Sequence, residues 1–444
     1  MANTYLNRTP SSAGNRRKFT LSTWLKGHDA DNLGSGYFFG AVNGSNTDTI
    51  GITASGIQVS VNSANSGALN TTRLFRDLSA WYHIVWAVDT TQGTASNRMK
   101  LYVNGEQITA FDTETYPSQD YDFGINNTVE HRVGALTGSS SNTFAGVMAH
   151  FHFIDGTQYA ASDFGQTDST TGIWKAKTSP SVTYGTNGFF LKFENSGAMG
   201  TDSAGSNNLS VASGTLTQTL DTPTNVFATF NPLHYGDTAP ATTYGGFENA
   251  NTRYVSTQGG SPYPYTCSTL AASTGKYYAE FKLTRIVSSS MIGITDGDKY
   301  TYLGNSGNKD ACLFHDGNLY PGNSSFGNSF SDNDICGVAM DLDNMKVYFS
   351  KNGTWQNSGD PTSGSTGTGA ATIPTGGLGQ FHFAFGDSSS NDPACSANFG
   401  NGYFGTTAVS SAQNPDDGIG IFEYDVPAGY RALCTKSLNV EEYS

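Results

Sequence analysis

The chain has 444 residues, is rich in Gly (53 residues), has 12% aromatic and only 14% charged side chains, and carries a net charge of −14. That length exceeds one ordinary core, so two domains of about 200 residues are expected. Nucleic acid is excluded as a partner because phosphate binding demands clustered Lys and Arg.

The Ala-, Leu-, Glu- and Lys-rich runs that build long helices are missing. In their place stand short Val-, Ile-, Phe- and Tyr-rich segments broken by Gly, Asn, Ser and Thr, which predict an all-β fold. "RRKFTLSTWLKG" (16–27) alternates Phe19, Leu21, Thr23 and Leu25 with Ser22 and Trp24, the period of a strand with two different faces. "GYFFGAVN" (36–43), "TIGITASGIQVSV" (49–61), "AWYHIVWAVDTT" (80–91), "RMKLYVNGEQI" (98–108), "HRVGAL" (131–136) and "FAGVMAHFHFIDG" (144–156) follow. In "MKLYVNGE" the residues Met99, Leu101 and Val103 share one face, and Asn104-Gly105 supplies the positive φ of a tight hairpin. Asp221-Thr222-Pro223-Thr224-Asn225 is a turn-rich break, placing a boundary near 215–225. Beyond it come "TGKYYAEFKLTR" (274–285), "SMIGITDGD" (290–298), "DICGVAMDLDNMKVYFSKNGTW" (334–355) and "GQFHFAFGDSS" (379–389). Here Met345, Val347 and Phe349 repeat the alternation and Asn352-Gly353 repeats the turn, so two equivalent hairpins are expected in two separately folded bodies.

Cysteine and charge are uneven. Cys267, Cys312, Cys336, Cys395 and Cys434 all lie in the second half, with no C-x-x-C spacing, and are expected as buried free thiols. Residues 1–223 hold 13 basic and 17 acidic side chains, residues 224–444 hold 10 and 20. No run of 18 apolar residues occurs, so no membrane insertion is expected. The N-terminal segment lacks the apolar stretch of a signal peptide.

The W-Y-H-I-V-W-A-V strand, the L-Y-V-N-G hairpin and "FAGVMAHFHFIDGTQYAASDFG" resemble laminin-G-like members of the concanavalin A-like superfamily over roughly residues 4–165. "GVAMDLD" (337–343), "VYF" (347–349), "KNG" (351–353) and the strand Tyr277-Tyr278-Ala279-Glu280 resemble the SPRY family core. Together they imply two concanavalin A-like or jelly-roll β-sandwiches in tandem: 1–183 laminin-G-like, 184–224 a connector packing on the first sandwich, and 225–444 SPRY-like. Residues 184–214 and 221–233, which span the connector, and the tail "GIFEYDVPAGYRALCTKSLN" (420–439) resemble segments of marine bacteriophage fibre-type virion proteins.

A search for chemistry yields no catalytic residue. Laminarinase-type hydrolases place carboxylates at E-x-D-x-x-E spacing along one strand, and no such run exists. The nearest clusters are "DTETYPSQDYD" (112–122), which holds Glu114 and Asp120, and "FEYDV" (422–426). G-x-S-x-G, H-E-x-x-H and P-loop signatures are absent. His150 and His152 share a strand face, as a metal pair or as one wet sheet face. "GHDADNLGSG" (27–36) offers Asp29, Asp31 and Asn32 as calcium donors on a Gly-rich loop, with a solvated turn as the alternative. "DLDN" (341–344) reads as a structural turn. Sugar recognition needs flat aromatic faces beside polar groups. Tyr263 and Tyr265 in "QGGSPYPYT" (258–266) supply them, as do Asp296, Asp298, Tyr300 and Tyr302 in "TDGDKYTYLGNSGN" (295–308); packing between subunits is the competing use.

The expectation is a non-enzymatic bacteriophage virion protein: a tail fibre, capsid fibre or decoration component displaying lectin-like domains for host attachment. It needs no cofactor beyond optional Ca2+. Its partners are other virion proteins, copies of itself as a trimer, and a host-surface glycan or protein. A SPRY- or laminin-G-type protein-interaction module is the alternative, and a glycan hydrolase is a third reading.

Overall fold

The computed structural model describes residues 4–27, 36–44, 46–53, 55–77, 79–136, 142–234, 245–256, 265–288, 290–297, 302–305, 307–387 and 392–443. They form two compact units, Met1–Gln218 and Thr219–Ser444. Each is a β-sandwich; the two α-helices among the described residues, Ala161–Phe164 and Thr435–Tyr443, are short.

In the first unit a six-stranded sheet runs Phe189–Leu191, Gly146–Asp155, Lys18–Gly27, Tyr82–Asp89, Met99–Val103, Glu106–Gln107. It carries the Asn104-Gly105 turn and is called the hairpin sheet. The opposing eight-stranded sheet runs Phe111–Thr115, Gly67–Thr71, Gly56–Val61, Asn46–Thr53, Gly36–Asn43, His131–Val133, Tyr5–Arg8, Ser210–Ser213. Between them lies the core: Phe19, Leu21 and Leu25 from one strand, Ile84, Trp86 and Val88 from the next, then Met99, Leu101 and Val103, against Ile50, Ile57 and Val59 opposite. Thus the odd-numbered residues of strand Lys18–Gly27 face inward, and Thr20, Ser22 and Trp24 are left on the other face. Residues 184–218 complete this sandwich, because Phe189–Leu191 pairs with Gly146–Asp155 and Ser210–Ser213 pairs with Tyr5–Arg8.

The second unit repeats the arrangement. Its hairpin sheet runs Gly245–Glu248, Arg253–Ser256, Ala394–Asn398, Lys276–Arg285, Ile335–Asp341, Lys346–Lys351, Thr354–Trp355, with Arg431–Ala432 parallel to Lys276–Arg285. Tyr265–Cys267, His382–Asp387, Ser290–Thr295, Ala311–Phe314, Asn318–Tyr320 and Ser324–Ser325 form the opposing sheet. Val347 and Phe349 enter its core as the alternation requires, whereas Met345 sits in the turn before the strand at φ +54°. All five cysteines are buried and free.

Five neighbouring strands therefore have the same order in both units, and the turns agree in detail. Asn104 and Gly105 have φ +49° and +88°, Asn352 and Gly353 +48° and +80°. Asn104 brackets the first part of the preceding strand: its N–H donates to His83 O at 2.9 Å, and its Oδ1 accepts the His83 N–H at 2.8 Å. Asn352 does the same with Ile335, at 2.8 Å for both bonds. This places Ser22 and Glu280 at equivalent positions, because each lies two residues before the partner of the bracketed residue (Trp24 opposite His83, Lys282 opposite Ile335).

Candidate functional site

The outer face of each hairpin sheet is where an open sandwich would offer a groove, and in both units it is covered. In the first unit residues 157–184 lie across it. Thr20 starts the attachment, its Oγ1 donating to Thr157 O and accepting the Tyr159 N–H, both at 2.8 Å. Beside it His83 is fully buried, its ring stacked on Trp24 (4.8 Å between centroids) and on Trp174 (6.0 Å). Trp174 Nε1 lies 3.0 Å from His83 Nδ1 and Ser22 Oγ lies 2.9 Å from Nε2. An indole nitrogen only donates, so Nδ1 accepts and the imidazole proton sits on Nε2, directed at Ser22. A Ser–His pair working as nucleophile and base needs the opposite arrangement, with the serine donating. Burial also pushes His83 down to about 3. The pair is a fastening.

The His150–His152 pair does share the outer face, with centroids 6.4 Å apart, His150 standing at φ +48° where the register shifts. The wet-face reading fails for His152, which is 2% exposed, lies 3.9 Å from the Phe190 ring centroid, and bonds Tyr184 OH through Nδ1 at 2.8 Å. No group of three or more His, Cys, Asp or Glu gathers as metal ligands among the described residues.

In the second unit the cover comes from the C-terminal part of the chain, with Phe422, Tyr430, Ala432 and Cys434 packed on Tyr278, Ala339 and Tyr348. Its fastening is Glu280, 0% exposed. The Glu423 N–H donates to Oε2 at 2.8 Å, the Tyr424 N–H to Oε1 at 2.9 Å, and Tyr278 OH to Oε1 at 3.2 Å. Burial outweighs these donors and pushes the carboxyl up to about 7. Each cover also sets an aromatic ring on the turn glycine: a Cβ at Gly105 would lie 2.7 Å from Trp174, and one at Gly353 would lie 2.6 Å from Tyr424. The fastening role of Glu280 was not legible in the chain; its one signal is a lone carboxylate inside an apolar strand.

The acids singled out in the sequence are engaged one by one. Glu114 accepts from Tyr116 OH at 2.8 Å, Asp120 pairs with Arg17 at 3.4 Å, and Glu423 binds the Ser410 N–H at 2.6 Å. Among the proposed sugar contacts, Tyr265 is corrected: it is 0% exposed, packed with Met291, Leu303 and Cys312 and edge-on to His234, so no flat face is left for a ligand. Asp296 is buried as well, its Oδ2 accepting the Leu378 N–H at 3.4 Å. Tyr302 is half-buried, and its carbonyl accepts from Asn308 Nδ2 at 3.1 Å. The residue that organises this loop is Asp310, which sequence reasoning missed. Its Oδ2 accepts from Gly304 N at 2.7 Å and Asn308 Nδ2 at 3.0 Å, and burial raises its pKa, with the charge of Asp296 adding to the rise. Tyr263, Asp298 and Tyr300, and the calcium candidates Asp29, Asp31 and Asn32, lie outside the described residues.

A recess that the sequence did not announce opens at the rim of the first sandwich. Leu25, Gly27, Ile52, Phe75, Asp77, Tyr82 and Phe144 line a shallow dent with room for about one water molecule. Phe75 meets Tyr82 edge-on at 5.1 Å and carries the Arg73 guanidinium at 5.7 Å.

Residues 2–162 match the laminin-G-type family model of the concanavalin A-like lectin/glucanases superfamily. Among solved structures, the human HERC1 SPRY domain is 15% identical, with a TM-score of 0.26, covering 33% of this chain and 87% of its own. A heptameric SAP-like pentraxin from Limulus polyphemus is 14% identical, with a TM-score of 0.28, covering 36% of this chain and 72% of its own. No curated protein matches the chain. The first sandwich is thus of concanavalin A-like type.

Proposed function

We propose that this protein is a non-enzymatic component of a bacteriophage virion, a tail fibre, capsid fibre or decoration protein that attaches to a host-surface glycan or receptor. The observation that carries the reading is the pair of covered hairpin sheets. In each unit the outer face of the hairpin sheet is filled by the chain itself, which leaves the rims and, in the first unit, the outer face of the eight-stranded sheet with Gln58, Ser60 and Asn70 open to a partner. Rim sites are shallow and bind weakly, so attachment rests on many copies acting together, as in a trimer repeated over a particle. The absence of a coiled-coil or collagen-like repeat favours a short fibre, knob or appendage over a long shaft. No cofactor is needed; Asp29, Asp31 and Asn32 are hard oxygen donors for an optional Ca2+.

Mass spectrometry of purified particles tests the assignment: the protein is expected among the particle proteins at many copies. Recovery solely from the soluble lysate overturns the virion reading and leaves a protein-interaction module.

A further inference from the structure

Strands Gly165–Thr167 and Trp174–Ala176 pair with each other alone and join neither sheet of the first sandwich. Among the described residues, one hydrogen bond fastens this hairpin to the sheet beneath it, the one from Trp174 Nε1 to His83 Nδ1. Its other polar contacts close within the cover: Asp168 pairs with Lys175, and Lys177 binds the carbonyls of Ser162 and Phe164. A fastening whose acceptor is an imidazole nitrogen exists in one protonation state only.

We propose that the 165–176 hairpin is an acid-released cap, let go when solvent delivers a proton to His83 Nδ1 and turns that acceptor into a donor facing another donor. The surroundings favour release once the ring is charged. From the sheet, Lys26, Lys100, Tyr102, His150 and His152 stand on the same side; from the cover come Tyr159, Asp163, Tyr184 and the Asp168–Lys175 pair. Lys192 and Glu194 follow just past strand Phe189–Leu191, paired with each other at 3.6 Å. None of the carboxylates bonds His83, whose two nitrogens are taken by Ser22 and Trp174. Histidine is therefore neutral while the cap is down and titrates near 6.5 once it lifts, so closure weakens about tenfold for each pH unit below that value. A free two-stranded hairpin is marginal in water, so a lifted cap loses its backbone protection.

Hydrogen exchange of the full chain, corrected for the intrinsic rate at each pH, reads this directly. Between pH 7 and pH 5 the protection of residues 165–176 is expected to fall about twenty-five-fold, while strands Lys18–Gly27 and Tyr82–Asp89 stay protected. His83→Asn keeps an acceptor near the Nδ1 position that does not titrate, and should abolish the step. Trp174→Phe keeps a ring and removes the donor; it should lower protection already at pH 7 and shrink the step to what burial of His83 alone leaves, which decides the matter if His83→Asn does not fold. Equal protection at both pH values, a simultaneous loss in the sheet strands, or an undiminished step in Trp174→Phe overturns the proposal.

Discussion

The two sandwiches solve one packing problem with different chemistry. Both carry a five-strand run of the same order, an Asn-Gly turn bracketing the preceding strand, and an aromatic ring seated on the turn glycine. At the shared outer position, however, the first unit has Ser22 with His83 and Trp174, and the second has Glu280 holding two backbone N–H groups. One cover is held through a neutral base that acid converts to a cation, the other through a buried carboxyl. What differs is the response to protons, and the chain supplies a probe for each half: four of its five tryptophans lie in the first unit and all five cysteines in the second.

The largest effect expected is therefore a split response to acid. His83 and His131 are pushed down by burial to about 3 and about 4, so the stability they contribute is complete above 6.5 and drains as pH falls through those values. From pH 7.5 to pH 5 the two together should cost the first unit about 4 kcal/mol. Glu280 has the opposite sign, its contribution full below 4.5 and lost as pH rises through about 7. In the second unit this gain is offset by His234, which burial pushes down to about 4, and by His382, lowered by burial as well, so thermal melts followed by tryptophan fluorescence should drop more on acidification than melts followed by thiol exposure; parallel curves would break the comparison.

Removing the carboxylate by Glu280→Ala leaves buried donors without partners and should destabilise the second unit by about 3–5 kcal/mol, with the melt of the four first-unit tryptophans unmoved and Trp355 alone shifting with the second unit. Gly105→Ala and Gly353→Ala put a Cβ under Trp174 or Tyr424 at a positive φ, and each should cost its own unit about 1–3 kcal/mol in denaturant melts. A tolerated alanine in one unit alone would show that the two covers sit differently on their turns. The smallest effect, about 1 kcal/mol apiece, is expected for Asn104→Ala and Asn352→Ala, which remove matching side-chain acceptors.

Much of this fold is legible in the chain because strand alternation is local. Phe19-Leu21-Leu25 and Val347-Phe349 point inward as their spacing requires, and Asn-Gly turns where positive φ is needed. The covers were not legible, since Ser22, His83 and Trp174 meet across 152 residues and no short window holds their pattern. Tyr265 shows the converse error. Flanked by Gly, Pro and Ser it reads as a loop residue, yet pairing with Gly386 draws it into a buried strand edge, where tertiary contact overrides local composition.

Covered faces predict attachment without cleavage, and one assay addresses both. The purified protein is incubated with bacterial and algal surface polysaccharides while retention and newly released reducing ends are measured together. Retention that grows with the number of copies linked on one support, with no reducing ends released, is the predicted result. Release of sugar that disappears in Glu114→Gln or Asp120→Asn would contradict the account.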